Sequence, residues 1–153
     1  MEIYRLAREK YSHELSGKGA AIKGARWNST GTELIYTASN RSLAMAEVAV
    51  HLSLGTLPDD YFMLTIHVPD DLSVTICPLK DLPENWNQHP PTRLTQIYGD
   101  EFVSQGESCL FRVPSAVTKG DFNYLINPYH REFSRIKVIE KERFPFDLRI
   151  FTS

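Results

Sequence analysis

Four side chains in the 153-residue sequence stand where chemistry is plausible for their types: Arg26, Tyr36, Glu47 and Ser115. Arg26 lies in Gly24-Ala25-Arg26-Trp27-Asn28, with Gly31 just beyond. A guanidinium in a glycine-bounded loop suits phosphate, because its fork matches two oxygens at once. Taken alone, the segment fits better an arginine covering an aromatic ring at the domain edge. Tyr36 falls on an expected strand, where tyrosine commonly packs in the core or at its rim; its ring can also stack on a flat ligand. Glu47 falls within the apolar stripe of an expected helix. A carboxylate there loses hydration unless it is partnered or functional. It either snorkels to a local arginine or stabilises a developing sugar cation, the need that recurs in glycoside cleavage, and the helix pattern weighs both equally. Ser115, in Val113-Pro114-Ser115-Ala116-Val117, is outside any GxSxG elbow, so acyl transfer is not signalled and a turn or cap role is its common fate.

The elements that would position these residues follow from periodicity. Residues 3–7, 33–38, 61–68, 72–77, 108–113, 124–126, 134–140 and 146–151 read as strands, with 72–77 expected to pair with 61–68. In the second strand, Leu34, Tyr36 and Ala38 share one face, and Ile35 and Thr37 the other. The small residues of 16–21 suit close backbone approach. Leu43, Ala46, Glu47, Val50 and Leu54 recur at helical spacing, with Ser39 or Asn40 as cap and Gly55 as terminator. Four prolines make 78–91 a loop, and a second helix is expected from Thr92 to Gly106. Strands outnumber helices and most connections are too short for βαβ crossovers. The expected architecture is a single α+β domain over 1–153, a mainly antiparallel sheet with a few packed helices.

Composition narrows the function classes. Apolar residues make up 42% and charged residues 24%, ordinary for a globular chain, and the net charge of −2 advertises no nucleic-acid surface. Cys77 and Cys109 belong to no CxxC or similar spacing and read as small buried hydrophobes. The histidines form no HExxH or related cluster, so no metal is expected. His130, after Asn127-Pro128-Tyr129, reads as an exposed turn residue with a ligand or base role as the alternative. Gly17-Lys18-Gly19 lacks P-loop spacing. No apolar run is long enough to span a membrane and no leader pattern opens the chain, so a cytoplasmic protein is expected.

Taken in order, these segments resemble the RES domain, the toxin half of bacterial RES–Xre toxin–antitoxin pairs. The likeness runs from Tyr4-Arg5-Leu6 through residues 15–20, 24–31, 34–39 and 42–47 with His51, to 113–117 and Asn127-Pro128 with His130. The Arg, Glu and Ser that name the family match Arg26, Glu47 and Ser115. Many relatives carry Gly-Gly-Arg-Trp-Asn where this chain has Gly24-Ala25-Arg26; the added methyl is expected to be tolerated unless the position needs positive φ. Residues 81–91 match no part of the pattern.

The resemblance implies an ADP-ribosyltransferase-like fold and activity on NAD as substrate, by hydrolysis or phosphorolysis of its nicotinamide–ribose bond. Transfer of ADP-ribose to a host protein is the alternative, and a non-catalytic antitoxin-binding module a third reading, opposed by the presence of all four residues. It further implies an Xre-type helix-turn-helix antitoxin, an oligomer formed with it, and no direct nucleic-acid or membrane partner. On this reading Arg26, with Arg5, holds the pyrophosphate; Lys18 and Asn28 line the dinucleotide; Tyr36 stacks on nicotinamide; Glu47 faces the ribose cation; Ser115 orients nicotinamide or ribose.

Overall fold

The opening segment forms β1 (Glu2–Arg8), which buries Ile3, Leu6 and Ala7. It pairs antiparallel over its full length with β3 (Tyr61–His67), and β7 (Lys137–Arg143) covers the other side of β3. A second group comprises β2 (Ile35–Ala38), β4 (Val74–Ile76), β5 (Leu110–Pro114) and β6 (Phe122–Ile126). The computed structural model, which describes residues 1–151, joins them in one sheet ordered β4-β5-β6-β2-β1-β3-β7. Every pairing is antiparallel except β4 with β5.

The sheet is split. Between β1 and β2 the register is one residue pair, Tyr4 with Ala38, whereas the ladders on either side run for whole strands. Past that pair the two central strands diverge, and the Arg5 side chain spans the gap by donating from Nη1 to the Tyr36 carbonyl at 3.1 Å. A side chain thus satisfies a backbone acceptor that a continuous ladder would have paired.

Three α-helices among the described residues pack on this frame. In α2 (Arg41–Ala49), Asn40 caps the first turn by accepting from the Leu43 N–H at 2.8 Å, and Leu43 and Ala44 are buried. In α3 (Arg93–Gln105), Gly106 ends the helix in the left-handed region at φ 62°, as its place after the last periodic residue foretells. The third helix corrects the sequence reading: part of the small-residue stretch 16–21 is helical, in α1 (Lys18–Lys23). Close approach still holds at Gly17, where an added Cβ would lie 2.8 Å from the Leu34 nitrogen, but not at Gly19, which faces open space.

Other expectations also give way. The 72–77 segment does not pair with β3; both edges of β3 are taken by seven-residue strands, and the three-residue β4 adds parallel to β5 instead. Helix α2 stops at Ala49, short of Gly55, because Val50 and Leu54 stay 59% and 49% exposed and find no core to face. The last sheet strand runs over Lys137–Arg143 after a 3-10 turn at Phe133–Arg135, three residues later than expected. Residues 146–151 form no strand: Phe146 packs edge-on against Tyr61 and Phe144, and Leu148–Phe151 is a 3-10 turn. Cys77 and Cys109 are buried free thiols, each pushed up to about 11 by burial.

Candidate active site

A cleft of about 300 Å³ opens in the fork between β1 and β2, walled on one side by α2. Arg5, Arg26, Tyr36 and Glu47 all line it, brought from β1, the 24–31 loop, β2 and α2.

The 24–31 loop is held from several directions. Gly24 takes φ 72°, while Ala25 keeps ordinary backbone geometry, so the alanine at that position is accommodated. Helix α3 presses on the loop so closely that a Cβ at Gly99 would fall 1.5 Å from the Trp27 carbonyl oxygen. Gln96 donates to the Ala25 carbonyl at 3.1 Å, and Asp100 receives the Ser29 N–H and hydroxyl. Asn28 is fully buried: its amide donates to the carbonyls of Ala20, Ser29 and Thr32, and its Oδ1 accepts the Tyr36 hydroxyl at 2.6 Å. The same hydroxyl accepts from the Trp27 N–H at 3.0 Å. Asn28 is therefore outside the cleft wall, and holds the Tyr36 ring that forms it. Burial lifts the Tyr36 phenol above its usual range, so it stays protonated.

Arg26 sends Nη1 to the carbonyls of Trp86 (3.0 Å) and Gln88 (2.9 Å) in the proline-rich 78–91 loop. No ion pair reaches Arg5 or Arg26 among the described residues. Burial lowers the pKa of both guanidinia, offset at Arg26 by the nearby Glu47 charge. Half-buried cations without a bonded carboxylate, facing one cleft, make a place for an anion.

Glu47 faces them from α2. Burial raises its carboxyl above the usual range, opposed by Ser115, Asn123, Arg26 and His51. Ser115 does not line the cleft; it is buried at the end of β5, where its Oγ donates to Glu47 Oε1 at 3.1 Å. Ser115 Oγ also accepts from the N–H groups of Val117 and Thr118, so the turn-serine role and a link to the carboxylate coincide. Lys18 lies apart, on a basic groove of about 800 Å³ that meets the cleft at Arg5, Leu6 and Val48. His130 is held in its turn, accepting the Glu132 N–H at Nδ1.

Sequence reasoning gave no role to Asn123 and no site chemistry to His51, both of which line the cleft. His51 follows Glu47 by one helical turn, a spacing visible in the sequence. Asn123 arrives through the register of β6 with β2, opposite Ala38, and no local pattern marks it. Among the described residues no group of three His, Cys, Asp or Glu side chains could hold a metal, and no helix is long and apolar enough to cross a membrane.

The structure is an α+β domain whose split, mainly antiparallel sheet holds a carboxylate, a tyrosine ring and two guanidinia in its fork. The RES domain family model matches residues 2–147, and the chain belongs to that family. It is 35% identical to the "Prs ADP-ribosylating toxin" of Sphingobium sp. (strain YBL2), covering 97% of this chain and 95% of that protein. It is 34% identical to a "Toxin Res" of Photorhabdus laumondii, covering 98% and 97%. A chain in the crystal structure of the M. tuberculosis MbcT–MbcA toxin–antitoxin complex shares the fold, with TM-score 0.75 and 20% identity over 94% of this chain and 83% of the other.

Proposed function

We propose that this protein is the toxin of a bacterial toxin–antitoxin pair and that it cleaves the nicotinamide–ribose bond of NAD. The observation that carries the reading is the half-buried Glu47 carboxylate, which feels the Arg26 charge and shares its cleft with Arg5 and Tyr36. Cleavage sends the electron pair of the C1′–N bond to the pyridinium nitrogen, so nicotinamide leaves neutral and needs no strong general acid. The ribose becomes an oxocarbenium-like cation. Glu47 stabilises that charge and accepts a hydrogen bond from a ribose hydroxyl; a fixed charge aimed at a developing one is commonly a large catalytic contribution. Ser115 holds Glu47 in place and Tyr36 stacks on the leaving ring. Arg26 and Arg5 hold pyrophosphate oxygens.

The cleft volume lies at the low end of the range of about 300–1,000 Å³ for small-molecule sites, and NAD is large. The nicotinamide riboside half fills it, and the remainder passes Arg5 into the basic groove that carries Lys18. The acceptor that captures the ribose is water or phosphate. Transfer to a protein side chain is the second reading, favoured by the name of the Sphingobium relative. An Xre-type helix-turn-helix antitoxin binds the domain and covers the cleft, a pairing supported by the toxin–antitoxin setting of the structural neighbour.

Purified protein incubated with NAD is expected to release nicotinamide, and Glu47→Gln to abolish that release while folding survives. Mass spectrometry of the co-product separates ADP-ribose, its phosphorylated form and a modified protein. Absence of nicotinamide release under all three acceptor conditions refutes the reading.

A further inference from the structure

Arg26 and Trp27 are consecutive residues, and each grips the 78–91 loop by different chemistry. Arg26 donates Nη1 to the carbonyls of Trp86 and Gln88, and the buried Trp27 indole packs against Trp86 with ring centroids 6.1 Å apart. The loop approaches as successive turns: the Trp86 N–H donates to the Pro83 carbonyl at 3.0 Å, and the Gln88 N–H to the Asn85 carbonyl at 3.1 Å. These turns leave the Trp86 and Gln88 carbonyls to receive the guanidinium. Leu82 and Trp86 seat the loop on the cluster around Trp27 and Phe111.

The consequence lies at Arg26. A guanidinium carries five donors in a rigid plane. Two carbonyls fix the Nη1 corner, while Nε and Nη2 make no hydrogen bond among the described residues. Tethering one corner of a planar fork orients the rest, and the unfilled donors belong to a residue on the cleft wall. We propose that Trp86 is a positioning residue: its indole, clamped on Trp27, sets the two loop carbonyls that aim the Arg26 fork at the phosphate of the substrate. The proposal rests on the reading that Arg26 binds the NAD pyrophosphate, and it gives the 81–91 segment a part in the reaction. Arg26 touches substrate; Trp86 acts only through it.

The test is a double-mutant cycle read in steady-state NAD kinetics, with folding followed by circular dichroism. Misorienting one binding group acts on substrate affinity first, so Trp86→Ala is expected to raise KM for NAD about tenfold or more and change kcat less than about threefold. Trp86→Phe, which keeps a flat ring on Trp27, is expected to restore KM to within about threefold of wild type. In the Arg26→Ala background, Trp86→Ala is expected to add nothing, because coupled residues do not act additively. If Trp86→Ala melts below the assay temperature, Trp86→Leu replaces it with the same expectations. A wild-type KM in the Trp86 variant overturns the proposal, as does a full further loss when Arg26 is already absent. A wild-type protein that neither binds nor consumes NAD refutes instead the function on which the proposal rests.

Discussion

Two serine–carboxylate pairs join distant parts of the chain, Ser29 with Asp100 and Ser115 with Glu47, and they end differently. Asp100 receives Ser29 at both oxygens, the N–H at 3.0 Å on Oδ1 and the hydroxyl on Oδ2. That carboxylate is engaged on both sides, and its effect is to pin the 24–31 loop to α3. Glu47 receives Ser115 at Oε1 alone and turns its charge toward a cleft holding Arg5 and Arg26. Burial raises its pKa against the opposing pull of Ser115, Asn123, Arg26 and His51. The same pair of residue types is a lock in one place and, in the proposed function, a supported reactive group in the other. What separates them is the cleft, which Glu47 lines and Asp100 does not.

The sharpest way to break this contrast is at Glu47. Glu47→Gln keeps shape and removes charge, so NAD turnover is expected to fall about 10²–10³-fold or more, as when other preorganised electrostatic groups are removed. Because Glu47 is raised in the folded chain, its contribution to stability is fully present below its unfolded pKa and lost as pH rises through the folded value. The charged form therefore opposes folding at neutral pH, and Glu47→Gln is expected to raise Tm there, by scanning calorimetry. A variant with lower Tm and unchanged turnover would make Glu47 a second structural lock.

Gly99→Ala tests the lock from the other side. Alanine in a helix interior ordinarily stabilises by about 1 kcal/mol relative to glycine. Here the new methyl meets the Trp27 carbonyl at 1.5 Å, so the sign is expected to reverse, with a loss of about 1–3 kcal/mol or more in denaturant melts. Asp100→Ala is expected to cost about 1–2 kcal/mol by stranding the Ser29 donors, and to reduce turnover far less than Glu47→Gln. The smallest effect is a pH shift. Ser115 favours ionised Glu47, so Ser115→Ala is expected to raise the Glu47 pKa further and move the acidic limb of the rate profile to higher pH. A limb that stays put or moves down would remove Ser115 from its supporting role.

Much of this was legible in the sequence, for reasons that differ by element. The end of α3 follows from local chemistry, with Gly106 in the left-handed region after the last turn, whereas Thr92 stands at the N-cap without a side-chain hydrogen bond. Taken singly, the segments of Arg26 and Tyr36 favoured structural roles and that of Glu47 was balanced; the ordered resemblance to the RES domain singled them out together and added Arg5, and these four line one cleft. The pairing of β4 was not, because it depends on which edges longer strands have already filled. The end of α2 was misjudged because Val50 and Leu54 have the right spacing but no surface to bury against. Asn28 was expected as a ligand contact from the family resemblance, not from a pattern of its own. Only the fold shows its amide and carbonyl bonded within the chain. Trp86 carried no local signal at all, since its importance comes from a ring that is 59 positions away in the chain and next to Arg26.

The outer margin of the sheet has a consequence for assembly. Every residue of β7 is exposed, and Lys137, Glu140, Lys141, Glu142 and Arg143 alternate charge along it. An incoming backbone that tried to lengthen the sheet there would have to strip water from those charges, which is how natural proteins discourage stray strand addition. A growing stack of copies is disfavoured along that border.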